Sequence, residues 1–409
     1  MRRHKASATT DARDLVPTRH TGAMLTPHPF IDYQDRYRGA MLGTAIGDAL
    51  GRPVEGRSPR GIQERFGELT DFRPWRGWTN GPTGTFTDDT EMALCIAQSI
   101  VEQQGIDPTD LADRFRAWGR IGRGMGSATR AACRRMADGF EWYEAGSDSA
   151  GNGAAMRAAP IGLFDSVDMD ALRTDAAATA VITHNQATAA ASTIVTSYTV
   201  AHLLHTPVGQ FDAEDLLIGI EAIMADVGDP ALPERRDHRS VVTLLQRIRD
   251  VFAMRDRSLE EIFALTHNGA FVLESLPAAF AAFLASPEDP EQVIIAAVNG
   301  GYDADTIGAM AGAFAGAYHG GSGLPGRWVN DIEFRTGLEG VADELLSLTG
   351  LGPLPAPIQN PAPDEYDPFV VDGRRWITLV HSDSAALQPD EAHDIRLMPH
   401  PTAARELVR

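Results

Sequence analysis

Two short stretches of this 409-residue chain put carboxylates where chemistry could use them: Thr87-Asp88-Asp89-Thr90 and Asp303-Ala304-Asp305-Thr306. Each runs into an apolar, helix-forming segment, so each pair of acids stands at a helix start. A single Asp or Thr there is an ordinary cap for free backbone N–H groups. Adjacent Asp88 and Asp89 cannot both be caps, and Asp303 and Asp305 repel each other unless a cation lies between them. Hard oxygen donors of this kind suit Mg²⁺ or Mn²⁺, with water completing the coordination shell. The hydroxyls of Thr87 and Thr306 are natural additional ligands. Four aspartates and two threonines make a two-metal site feasible. Zinc is disfavoured because there is no Cys/His cluster. The two cysteines, Cys95 and Cys133, are far apart and read as buried apolar thiols.

Such acids need rigid supports. After Asp303 come Gly308, Gly312 and Gly316, every fourth residue, on one face of an apolar helix. The first structured segment, from Tyr33, repeats the stripe with Gly39, Gly43, Gly47 and Gly51. Glycine costs a helix about 1 kcal/mol against alanine, so the repeat needs a reason. Close backbone-to-backbone packing supplies one, and the two striped helices are natural partners. Asp48 lies inside the first of them, readable either as a functional acid or as a structural or capping one. Glu55 follows the helix-stopping Arg52-Pro53.

The remaining segments read mainly as helices. Helices are expected from residue 91 to Gly105, over 108–118, 128–136, 170–205 with a break at 183–185, 211–226, 238–252, 259–285 with a kink or restart at Pro277, 291–298 and 341–348. Residues 57–82 read as a long surface loop. The Gly-rich run 119–126 superficially resembles a dinucleotide fingerprint but has no strand before it. With no βαβ alternation, the expected fold is all-α: a compact multi-helix domain over residues 31–350. Residues 1–30 read as a disordered tail and 351–409 as an appendage with a short strand at 375–381.

The motifs together resemble the ADP-ribosylglycohydrolase family, typified by the dinitrogenase-reductase-activating glycohydrolase. They are Gly47–Gly51 (GDALG), 87–90 (TDDT), 151–157 (GNGAAMR), 183–187 (THNQA), 274–279 (ESLPAA) and 303–317 (DADTIGAMAGAFAGA). They occur in order across the predicted core, and six in sequence are far more specific than any one. The resemblance implies an all-α domain with a dinuclear metal cleft whose ligands are Thr87, Asp88, Asp89, Asp303, Asp305 and Thr306. It implies hydrolysis at C1 of the distal ribose of ADP-ribose attached to arginine, serine, another ADP-ribose or a small acceptor. Asp88 and Asp303 are the expected catalytic carboxylates, with Glu55 as candidate acid/base. Carboxylates there would stabilise an oxocarbenium-like transition state. Asn152 and Gly153 match the loop that contacts the diphosphate-ribose, and His184 matches a ligand-facing histidine. Tyr302 stands where many members have Gly, so its ring is expected to narrow the cleft or touch substrate.

A net charge of -20 argues against general nucleic-acid or anionic-membrane binding. No stretch reaches the ~18 apolar residues of a membrane span, and the basic N-terminus lacks a signal-peptide core, so the expected compartment is the cytoplasm. A monomer is plausible for a domain of this size. The competing readings are a catalytically inactive ADP-ribose-binding protein of the same fold and a two-metal phosphohydrolase.

Overall fold

A computed structural model describes residues 25–74, 83–225 and 241–352, together with strand segments at 370–371, 374–378 and 397–399. The proposed N-terminal tail up to residue 24, the Trp-containing stretch 75–82 and most of the C-terminal appendage lie outside the described residues.

Helices dominate. They run α1 Tyr33–Gly51, α2 Pro59–Phe66, α3 Asp88–Gln103, α4 Pro108–Trp118, α5 Ser127–Ala137, α6 Trp142–Ala145 and α7 Ala159–Phe164. Then follow α8 Met169–Val181, α9 Ala187–His205, α10 Ala213–Ile223, α11 Val241–Ala253, α12 Leu259–Thr266 and α13 Val272–Ala285. The last are α14 Pro290–Asn299, α15 Ala304–His319, α16 Gly326–Asp331 and α17 Arg335–Thr349. Beyond them, β1 Val370–Val371, β2 Arg374–Thr378 and β3 Leu397–Pro399 pair antiparallel in that order. The all-α expectation for the core holds.

Local chemistry explains most of the boundaries. Asp107 before Pro108 and Asp289 before Pro290 accept backbone N–H bonds while proline occupies the first helical turn. Ser258 and Glu261 form a capping box at α12.

The two glycine stripes meet as expected. Helices α1 and α15 run antiparallel at the centre, with Gly39 against Gly316, Gly43 against Gly312 and Gly47 against Gly308. A Cβ on any of these six would come within 3.0 Å of the opposing backbone, closer than real Cβ atoms sit. The helices therefore touch carbonyl to backbone, a geometry only glycine permits. Both are buried for nearly their whole length, so the pair forms the rigid axis of the core.

Several expectations need correction. The segment 57–82 is not all loop: Ser58 accepts from Gly61 N and Pro59 starts helix α2. That cap-plus-proline signal outweighed the aromatic and glycine residues that follow. The 259–285 segment breaks at His267 and Asn268, both at positive φ, and not at Pro277, which lies inside α13. The final helix begins at Arg335, earlier than residue 341. The short helices α6 and α16 carry too little periodicity to be read from the sequence. Cys95 and Cys133 are buried and free, as expected.

Candidate active site

The acids stand at the N-termini of α3 and α15, where the helix dipoles favour negative charge. They are not spent as caps. Neither Thr87 nor Asp303, the residues at the two cap positions, makes a side-chain cap bond to its own helix. Asp48 does that work for α3 from the neighbouring α1. It is fully buried and accepts from the amides of Thr87 (2.9 Å) and Thr90 (3.2 Å). It also accepts from the hydroxyls of Thr87 (2.8 Å) and Thr90 (2.7 Å). Asp48 is therefore a structural acid that fixes the TDDT turn. Because Thr87 donates its proton to Asp48, its hydroxyl oxygen keeps a lone pair for another partner.

On the other side, two backbone bonds clasp the turn after α1 to the turn before α15. Gly56 N donates to Tyr302 O and Tyr302 N to Arg57 O, each at 2.6 Å. This clasp brings together residues almost 250 positions apart: carboxylate oxygens of Glu55, Asp303 and Asp305 lie within 4.8 Å of one another. Asp305 is buried and Glu55 exposed, so the triad runs from the interior to the surface. Asp305 Oδ1 accepts from Thr306 N at 3.0 Å. Asp88 and Asp89, also buried, stand outside the triad but feel the charge of Asp305.

Burial, reinforced by the neighbouring acids, raises every shifted carboxyl here. Asp303 is pushed up to about 8, by burial first and Asp305 second. Burial lifts Asp48 to about 6 against the opposing pull of its hydrogen bonds from Thr87. Asp88 and Asp89 lie well above the ordinary carboxylate range, and Glu55 above its own. Among the described residues, Asp89 Oδ1 is buried with no hydrogen-bond partner. An orphaned oxygen among mutually repelling buried acids is the condition a bound cation relieves.

A third wall carries Asn152, Gly153 and His184. Asn152 N donates to Ala270 O (3.1 Å) and Val272 N to Ala150 O (3.0 Å), which pins this loop to the start of α13. Asp303 N donates to Asn268 O (2.9 Å) just before it. The Asn152 amide donates to Asp303 Oδ2, so Asn152 orients an acid of the triad. His184 is buried beneath the loop: a Cβ at Gly153 would lie 2.7 Å from its Cε1. Burial, and then the Arg157 charge, depress His184 to about 3, so it is neutral.

Three participants escaped the sequence reading. Arg157, fully buried over the Phe115 ring, donates to Thr183 Oγ1 (2.8 Å), which in turn bonds His184 Nδ1 (2.9 Å). It lies at the end of the GNGAAMR motif, a buried cation the motif itself displays. The Gly-rich run 119–126 folds over the TDDT turn, held by Trp118 Nε1 and Arg123 N on Glu91 Oε2 (2.8 and 3.0 Å). Gly124, at φ +73°, leaves room for Asp88, whose Oδ1 would be 2.8 Å from a Cβ there. Arg52, read only as a helix stop, bonds both Glu55 and Asp305. Tyr302 sits at φ +57°, exposed, on the rim of an open groove of about 1280 Å³ that it shares with Pro59, Phe263 and His267. None of Glu55, Asp88, Asp89, Asp303 and Asp305 lines that groove.

A family model described as ADP-ribosylglycohydrolase matches residues 30–353. An uncharacterized protein of Archaeoglobus fulgidus is 33% identical over 77% of this chain and 97% of its own length. The ADP-ribosylhydrolase ARH3 of Gallus gallus is 31% identical over 73% of this chain and 89% of its own. A solved structure described as an ADP-ribosylglycohydrolase-related protein complex matches with a TM-score of 0.63 and 34% identity, covering 78% of this chain and 99% of the other.

Proposed function

We propose a specific reaction for this chain, which belongs to the ADP-ribosylglycohydrolase family: hydrolysis of the C1 glycosidic bond joining ADP-ribose to an arginine or serine side chain or a small acceptor. The enzyme thereby reverses ADP-ribosylation. The observation that carries the reading is the convergence of Glu55, Asp303 and Asp305 within 4.8 Å beside the buried TDDT turn.

The donor set fits divalent cations: all-oxygen, acidic and with an orphaned carboxylate oxygen at Asp89. Thr87, Asp88, Asp89, Asp303, Asp305 and Thr306 would hold two ions, Mg²⁺ or Mn²⁺. When bound, these would supply Lewis acidity and positive charge that orients the ribose hydroxyls. The protein's own groups do the rest. Glu55, whose side chain reaches solvent while its carboxyl is partly desolvated beside Asp305 and raised in pKa, is placed to exchange a proton with solvent and a reacting group. With the cations bound, Asp88 and Asp303 would be ionised and would set negative charge beside an anomeric carbon that becomes oxocarbenium-like. Asn152 keeps Asp303 oriented. The backbone at Gly153 lets a diphosphate approach closely, over a neutral His184 that adds no competing charge.

The test incubates purified protein and Mg²⁺ with substrates ADP-ribosylated on arginine or on serine, following free ADP-ribose. Metal-dependent release, absent in Asp303→Ala/Asp305→Ala, is expected and names the acceptor. ADP-ribose binding without release from any substrate would replace this reading with a binding protein of the same fold.

A further inference from the structure

Arg52 opens the 3-10 turn Arg52–Val54, which leads from α1 to Glu55. Its side chain is only 16% exposed. A single nitrogen, Nη1, bonds two members of the acid triad: Glu55 Oε2 and, at 3.1 Å, Asp305 Oδ2. The guanidinium thus lies where these carboxylates converge. We propose that Arg52 is a built-in counter-ion, which holds the place of a divalent cation against Asp305 and gives way when metal binds. The inference rests on the metal-dependent reading above.

The physical case is one of competition. A guanidinium and a divalent ion compete for Asp305 Oδ2, because Oδ1 already accepts from Thr306 N and like charges a few ångströms apart in a partly buried site repel strongly. The two ends of the bridge differ in freedom. Asp305 is 5% exposed in its side chain, and its second oxygen is held by Thr306 N at 3.0 Å. Glu55 is 41% exposed in its side chain and lies at the end of a three-residue turn. Asp305 therefore stays, and it is Arg52, whose other bond is to the more exposed Glu55, that moves off Asp305. In the metal-free protein the same contact offsets acid repulsion, so the site keeps its shape at the expense of metal affinity.

Calorimetric titration with MgCl₂ tests this on the wild type, Arg52→Gln and Arg52→Lys. Removing the competitor should tighten Mg²⁺ binding by about tenfold in Arg52→Gln, the scale of one charge-assisted hydrogen bond. Arg52→Lys, which keeps the charge, should stay near the wild type. In EDTA, Arg52→Gln should melt lower, yet gain more in Tm on adding Mg²⁺. Unchanged or weaker Mg²⁺ binding in Arg52→Gln would overturn the inference and leave Arg52 a purely structural bridge. If the wild type binds no Mg²⁺ or Mn²⁺, the metal reading itself fails first. Should the glutamine variant not fold, a crystal structure of the wild type with Mn²⁺ decides. Arg52 should have left Asp305, and a guanidinium still bonded there beside the metal refutes the exchange.

Discussion

Substituting Gly47→Ala sets two effects of opposite sign against each other. In an isolated helix alanine is better by about 1 kcal/mol. Here the new Cβ would come within 3.0 Å of the Gly308 carbonyl, and that carbonyl belongs to a buried helix with nowhere to move. Restoring an ordinary contact of ~3.5 Å requires α1 and α15 to part by about 1.5 Å. Overpacking on that scale costs roughly 1–3 kcal/mol, and more when the clash is with backbone. Along a seam this close, the lost contacts extend to the neighbouring glycine pairs. The net expectation is a loss of about 2 kcal/mol in urea unfolding. The functional loss should be larger, because Gly47 adjoins Asp48 while Gly308 lies one turn from Asp305. A displacement of ~1 Å between reacting groups costs about 100-fold in rate. Gly340→Ala in α17, where a Cβ meets nothing within 4 Å among the described residues, is the control and should gain stability. If Gly47→Ala is as stable as Gly340→Ala and fully active, the close-packed seam is not what positions the acids.

Asp48→Asn should lower stability by about 2 kcal/mol, since an amide nitrogen would face the N–H groups of Thr87 and Thr90 in place of an acceptor; unchanged urea unfolding in EDTA would remove Asp48 as the anchor of the turn. Tyr302→Gly relieves a non-glycine residue at φ +57° and should be neutral or stabilising by up to ~1 kcal/mol. A large rise in KM with it would show that the ring reaches substrate. Away from the site, burial and then Asp175 push Asp165 up to about 8, while burial lifts Asp175 to about 6. Both folded values exceed the ordinary 3.8, so the native state binds more protons than the unfolded chain. Stability from this pair is full below about pH 4 and falls as pH rises towards 8. Asp165→Asn should flatten the fall of Tm between those limits, and an unaltered Tm-against-pH curve would contradict the shift.

Much of this protein was legible in its sequence because the signals are local. Apolar period, Asp-Pro and Ser-Pro starts and glycine stops depend on residues within one or two turns, so most helices could be drawn. The glycine stripes went further: a repeated local cost implied a partner, and only one other segment carried the same stripe. Six short motifs in order were enough to point to the family. What the sequence could not weigh was pairing between distant residues. Asp48 was balanced between roles until its four bonds to a turn 39 and 42 residues away made it structural. Arg52 looked like punctuation, and only packing brings its guanidinium to an acid 253 positions on. Asn152 reaches Asp303 across 151 residues for the same reason. The sequence by itself determined which groups are available and which helices carry them. The tertiary structure alone decided which acids are held, which are left orphaned and which are neutralised by a neighbour. Those outcomes depend on distances of a few ångströms between segments that share no local periodicity.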